Sequence, residues 1–136
     1  MPYQLVERAP TVDEYLALRA HVGWNELRDR EAVARGLEGS LFAVCVEREG
    51  ELVGIGRLVG DDGIYAYVQD VIVVEGERGR GLSRLIMDVL MRFLDETYPD
   101  GAFIGLMAAR GVAGLYERYG FVRRDDDAPG MYRYLG

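Results

Sequence analysis

The stretch from Gly76 to Arg84, GERGRGLSR, gathers residue types that handle anions. Gly79 and Gly81 let a backbone approach a ligand closely, because no side chain intervenes. The residues that follow read as a helix, starting at Leu82 and Ser83. The first N–H groups of a helix lack intrahelical partners and carry the positive end of its dipole. Arg78, Arg80 and Arg84 add charge around them. Such a loop suits a phosphate or pyrophosphate; the plainer reading is a tight turn with solvated arginines. Two common phosphate loops are excluded. A dinucleotide fingerprint needs a third glycine where Arg84 stands. A P-loop needs a lysine, and this chain has none.

Positioning that loop requires a strand before it and a helix after it. The strand is predicted over 64–74, rich in β-branched and aromatic residues. The helix shows in Leu82, Leu85, Ile86, Val89, Leu90, Phe93 and Leu94, one apolar stripe at helical spacing that stops before Pro99-Asp100-Gly101. Upstream, a short strand is expected over 3–7. Thr11-Val12-Asp13-Glu14 reads as a capping box opening a helix through His21. A second helix is predicted over 26–37. Strands over 41–48 and 52–59 meet at the hairpin signal Glu49-Gly50, and Asp61-Asp62-Gly63 is a further turn. Downstream come a strand over 102–108, a short helix over 112–119 closed by Gly120, and late strands over 121–124 and 131–134 around Asp125–Asp127.

The 136 residues suffice for one domain with a core of its own. A net charge of −7 disfavours nucleic acid, whose phosphates reward positive patches. A single cysteine, Cys45, allows no intrachain disulfide and no cysteine metal cluster, and it reads as core. No run of membrane-spanning length and no signal-like N-terminus is visible, so a soluble, cytoplasmic protein is expected.

The stretch VQDVIVVEGERGRGLSRLIM resembles the coenzyme-A loop of the GNAT superfamily of N-acetyltransferases, Arg/Gln-x-x-Gly-x-Gly/Ala after a valine-rich strand. Arg78, Gly81 and Ser83 hold its marked positions. GLYERYGF, 114–121, is similar to a second family landmark, with Tyr116 where many members keep a tyrosine that protonates the leaving thiolate. The N-terminal EYLALRAHVGW and the late PGM resemble one branch of small bacterial members. Ala109 departs from the pattern, standing where many members have an asparagine on the pantetheine arm.

The resemblance implies an α/β (α+β) fold over 1–136. It would have a mixed, mostly antiparallel sheet of about six to seven strands, about four helices, and strands that splay at the cofactor site. It implies acetyl-CoA as co-substrate, without a metal. The pyrophosphate would lie on Gly79, Arg80, Gly81, Leu82 and Ser83, and the pantetheine along Ile72, Val73 and Val74. A backbone N–H near Val71 or Ile72 would face the oxyanion. Tyr116 would be the acid. Asp70, the only carboxylate of its strand, could bind the amine, take its proton, or be structural. Gln69 would share a face with Tyr67 and Val71 if the strand stays regular, lining the acceptor cleft. Trp24 and Met131 could shape that cleft, with His21 and Tyr132 nearby. The expected activity is acetylation of a small primary amine. A coenzyme-A-binding sensor and a peptide acetyltransferase are the alternatives. No nucleic-acid or membrane partner is expected, and the family permits a homodimer.

Overall fold

The computed structural model describes residues 2–136. They form a larger unit that ends at Leu106 and a smaller one from Met107 to Gly136. The larger unit runs β1 (Tyr3–Val6), α1 (Val12–His21), α2 (Arg30–Glu38), β2 (Phe42–Arg48), β3 (Glu51–Gly60), β4 (Tyr65–Val73), a short 3₁₀ turn (Glu75–Glu77), α3 (Leu82–Thr97) and β5 (Phe103–Leu106). The strands lie in chain order in one sheet. The first three pairings are antiparallel and β4–β5 is parallel. A parallel pair needs a crossover, and α3 is that crossover.

Local chemistry accounts for most of these boundaries. The Thr11 hydroxyl accepts from the Glu14 N–H at 3.1 Å, and the Glu14 carboxylate accepts from the Thr11 N–H at 2.8 Å, a complete capping box. Helix α2 begins later than the sequence suggests, because the Asp29 carboxylate caps it by accepting from the Ala32 N–H. That leaves residues 25–29 as a loop. Glu49 and Gly50, both at positive φ, make the tight turn between β2 and β3.

The two faces of the sheet are filled differently. Tyr15 and Leu18 of α1 and Val33 and Leu37 of α2 bury against Cys45, Ile55 and Ile72. On the other face Ile86 and Leu90 of α3 lie directly on Gly56. A Cβ there would stand 2.3 Å from Ile86 Cγ2, so only glycine lets α3 sit this close.

The smaller unit holds α4 (Ala113–Glu117). The described residues thus contain four helices and five strands, in a mixed α/β fold. The expected sixth and seventh strands, over 121–124 and 131–134, are not strands. Their apolar residues form no covered face: Phe121 is partly buried, but Val122 is 88% exposed, and Met131, Tyr132 and Tyr134 are similarly open. Without a partner ladder or a covered face, alternating apolarity does not make a strand.

Candidate functional site

Strand β4 leads straight into the anion-type loop. Gly79 and Gly81 sit at φ +80° and +81°, where side-chain-bearing residues are strained, and a Cβ on either would meet nothing within 4 Å. Gly81 is the N-cap of α3 and supplies no side chain to the helix end. The loop therefore presents bare backbone at a helix N-terminus, around a hollow of about 190 Å³ bordered by Val73, Arg78, Gly79, Gly81 and Ser83.

Two of the arginines also brace the loop. Arg78 turns back, its Nε donating to the Val73 carbonyl at 3.2 Å. Arg80 donates to Glu77 and to the Tyr3 hydroxyl. Glu77 is the anchor: it also accepts from Tyr3 Oη and from Arg48 at 2.8 Å, tying the loop to β1 and β2. Those bonds hold the Glu77 carboxyl below its ordinary value, the Tyr3 bond contributing most. Glu77 had no place in the sequence reading. Its one visible signal is a carboxylate placed directly before three closely spaced arginines.

The sheet opens beside this loop. β5 pairs with β4 only from Tyr65–Phe103 to Val68–Leu106, so on that edge Gln69–Val73 has no partner strand among the described residues. The pleat decides which groups face the gap. The Val74 N–H donates to Val53 on β3, and its carbonyl accepts from the Glu77 N–H. Val73 and Val71, one and three residues earlier, therefore turn their backbone groups to the open edge, while Ile72 turns toward β3.

β4 is not regular. Arg57 pairs with Asp70 and Leu58 with Val68, which leaves Gln69 as an extra residue, a β-bulge. Arg57 and Leu58 are neighbours on opposite faces, so their partners Asp70 and Val68 are on opposite faces too. Tyr67, Gln69 and Asp70 consequently serve the α1–α2 side, whereas Val71 turns to the α3 side. The expectation that Tyr67, Gln69 and Val71 share a face fails for this reason.

Asp70 is fully buried. Its Oδ2 accepts from Arg57 Nε at 2.7 Å, and its Oδ1 from Tyr15 Oη at 3.2 Å and Gln69 Nε2 at 3.5 Å. Arg57 also reaches the Gly36 carbonyl and Ser40 Oγ. Burial, followed by the Asp70 charge, pushes the Tyr15 phenol up, so it stays a donor. Burial alone would lower the Arg57 guanidinium, but Asp70 outweighs it and holds Arg57 protonated.

Above this network lies a pocket of about 560 Å³ between α1, α2 and β4, with Tyr15, Arg19, Arg57 and Gln69 in its inner wall and Glu26 and Asp29 near its mouth. Trp24 lies beside it, bordering a smaller hollow of about 270 Å³ and stacking on Arg19. His21 accepts from the Glu75 N–H at 3.1 Å, which ties the end of α1 to the start of the loop. Arg19, Arg57 and Tyr15 were passed over in the sequence because nothing local marks them.

In the smaller unit Tyr116 is half-buried on α4, with Phe121 edge-on at a centroid distance of 6.3 Å. Burial raises its phenol above the ordinary value, so it holds its proton at neutral pH. Ala109 and Met131 are exposed. No helix of the described residues is long and apolar enough to cross a membrane.

Comparison with known proteins gives a consistent picture. An uncharacterized N-acetyltransferase, ycf52, of Gracilaria tenuistipitata var. liui is 30% identical over 93% of this chain and 77% of its own. Its counterpart in Porphyra purpurea is 28% identical, covering 83% of this chain and 66% of that protein's length. A probable acetyltransferase of unknown function from meticillin-resistant Staphylococcus aureus superposes with a TM-score of 0.90 at 29% identity, over 98% of this chain and 99% of the other. Residues 14–129 match the family of acetyltransferase (GNAT) domains. The chain belongs to the GNAT acetyltransferase family.

Proposed function

We propose that this chain transfers an acetyl group from acetyl-CoA to the primary amine of a small molecule, by direct attack without a covalent enzyme intermediate. One observation carries the reading: the open edge of β4 is followed closely by a loop whose Gly79 and Gly81 expose bare backbone at the N-terminus of α3. The first can pair with an extended pantetheine arm, and the second with a pyrophosphate. The donor set fits coenzyme A, since both features offer backbone N–H groups; on the strand edge the Arg78 side chain takes up the Val73 carbonyl, and at Gly79 and Gly81 no side chain intervenes.

Each residue then has a task. Gly79, Gly81 and Ser83 hold the pyrophosphate, with Leu82 N–H at the helix end. Val71 and the Val73 N–H offer the outward backbone groups, the Val73 carbonyl being held by Arg78, and Val71 N–H stabilises the carbonyl oxygen as it gains charge. The amine enters through the pocket walled by Gln69, and its nitrogen forms a bond to the acetyl carbon as the carbon–sulfur bond breaks. Water at Gln69 takes the amine proton. Tyr116, kept protonated by its burial, gives a proton to the leaving sulfur. Asp70 holds Arg57, Tyr15 and Gln69 in place.

Calorimetry with coenzyme A and acetyl-CoA, followed by thiol release with a panel of polyamines, arylalkylamines, amino acids, aminoglycosides and peptides, tests the proposal. Tight coenzyme A binding with amine-dependent thiol release is the expected result. Binding without turnover of any amine would leave a sensor, and no binding would overturn the reading entirely.

A further inference from the structure

The inner wall of the 560 Å³ pocket contains two guanidinium groups with very different surroundings. Arg57 is neutralised by the fully buried Asp70 at 2.7 Å. Arg19, only 8% exposed, has no carboxylate within ion-pair distance among the described residues. All of its contacts are neutral. Its Nη2 donates to the backbone carbonyl and the Oδ1 of Asn25, at 3.0 and 2.7 Å, and its Nη1 to Tyr15 Oη at 3.4 Å. The rings of Trp24 and Tyr15 stand 5.2 and 5.7 Å from its carbon centre. Its Nε is buried without a hydrogen-bond partner.

A buried cation without a counter-charge is costly, and proteins ordinarily pair it. The acids near the mouth do not serve. Glu26 faces Arg28 at 3.6 Å, and Asp29 accepts the capping bond of α2. The pocket thus has an uncompensated positive charge on its inner wall and carboxylates at its exposed rim. An ordinary monoamine or polyamine is poorly suited to that inner wall, because its own cation would meet Arg19.

From this we infer that the amine acceptor carries a carboxylate, which pairs with Arg19 at the inner wall of the pocket while its amine faces Gln69. The inference rests on the acetyl-transfer reading, and it narrows the acceptor class to amino acids or short peptides with a free carboxylate. A guanidinium gives a carboxylate a charge-assisted hydrogen bond; with Nη2 held by Asn25 and Nε sealed from solvent, Nη1, which has only its long bond to Tyr15, is the donor that remains for it. The volume accommodates an amino acid of any size or a dipeptide.

The test uses matched acceptors: amino acids and the amines that remain when the carboxylate is removed. Wild-type protein should favour the carboxylate-bearing member in kcat/KM by at least about tenfold. Arg19→Met, which keeps the apolar stem, should abolish that preference, and Arg19→Lys should retain part of it. Phosphoethanolamine against ethanolamine separates carboxylate from phosphate; a larger gain with phosphate overturns the assignment. Calorimetry with N-acetyl amino acids and N-acetyl amines, in the presence of coenzyme A, reads the same preference without turnover. Carboxylate-selective binding lost in Arg19→Met supports the inference even where no thiol is released, in which case acetyl transfer is the reading that fails. Thiol release at equal rates for both members of each pair keeps acetyl transfer and overturns the carboxylate inference.

Discussion

Replacing Asp70 by asparagine separates a buried strut from a general base. Asp70 is fully buried and its closest partner, Arg57, keeps only 10% of its side chain exposed. Removing the charge leaves Arg57 with only carbonyl and hydroxyl partners. Breaking one side of a buried pair costs about 3–5 kcal/mol, since the other charge stays desolvated. The asparagine oxygen can still accept from Arg57 Nε, so the low end, ~3 kcal/mol, applies here. At 136 residues the unfolding entropy is roughly 0.29 kcal/mol/K, and the loss corresponds to ~10 °C in Tm. Urea and thermal unfolding of Asp70→Asn, Arg57→Met and the double variant would measure the coupling. The double variant should recover most of the loss, because a methionine in place of Arg57 leaves no charge stranded. Below its melting range, Asp70→Asn should keep kcat within about threefold of wild type. Near wild-type stability together with a hundredfold fall in kcat would refute the argument and make Asp70 the base.

Three further outcomes are expected. Gly81→Val should weaken coenzyme A binding by at least about tenfold, ~1.4 kcal/mol, because φ +81° is strained for valine and its side chain stands over the loop; an unchanged calorimetric Kd in a folded variant would remove this loop from the site. Tyr116→Phe should lower kcat by about 10²-fold and leave coenzyme A affinity intact. Since burial raises the Tyr116 phenol, the wild-type alkaline limb should lie above pH 10, and the phenylalanine variant should lose that limb; an unmoved profile with wild-type kcat would make the ring merely structural. Cys45, fully buried and with its thiol pushed up to about 11 by burial, should resist iodoacetamide at pH 8 and react when urea unfolds the chain. Rapid alkylation of the folded protein would contradict the packing of Ala43–Val46 in the sheet.

The parts of this molecule written locally in the sequence are the parts legible there. The stripe of α3, the capping box at Thr11 and Glu14, and the Glu49-Gly50 turn each follow from residues within a few positions of one another. The glycine loop was legible for the same reason. The bulge at Gln69 was not, because no glycine or turn residue marks it, and it moves Tyr67 and Asp70 onto one face and Val71 onto the other. The Asp70 network joins residues 13 and 55 positions apart, a separation at which spacing carries no signal. The late segments misled in the opposite sense. Val122 and Tyr132 lie in apolar-rich runs that look like strands, yet whether a strand forms depends on a partner edge that a linear pattern does not specify.

The open edge of β4 has a consequence for the life of the protein between catalytic cycles. The Val71 backbone and the Val73 N–H, which can receive a pantetheine arm, can equally receive the extended segment of another chain, and the surrounding residues are valine and isoleucine, with high β propensity. On the proposed reading the co-substrate doubles as a guard against strand addition. Protein depleted of coenzyme A should then aggregate faster at equal temperature and equal folded fraction, so light scattering during a slow thermal ramp would register nucleotide occupancy as colloidal stability.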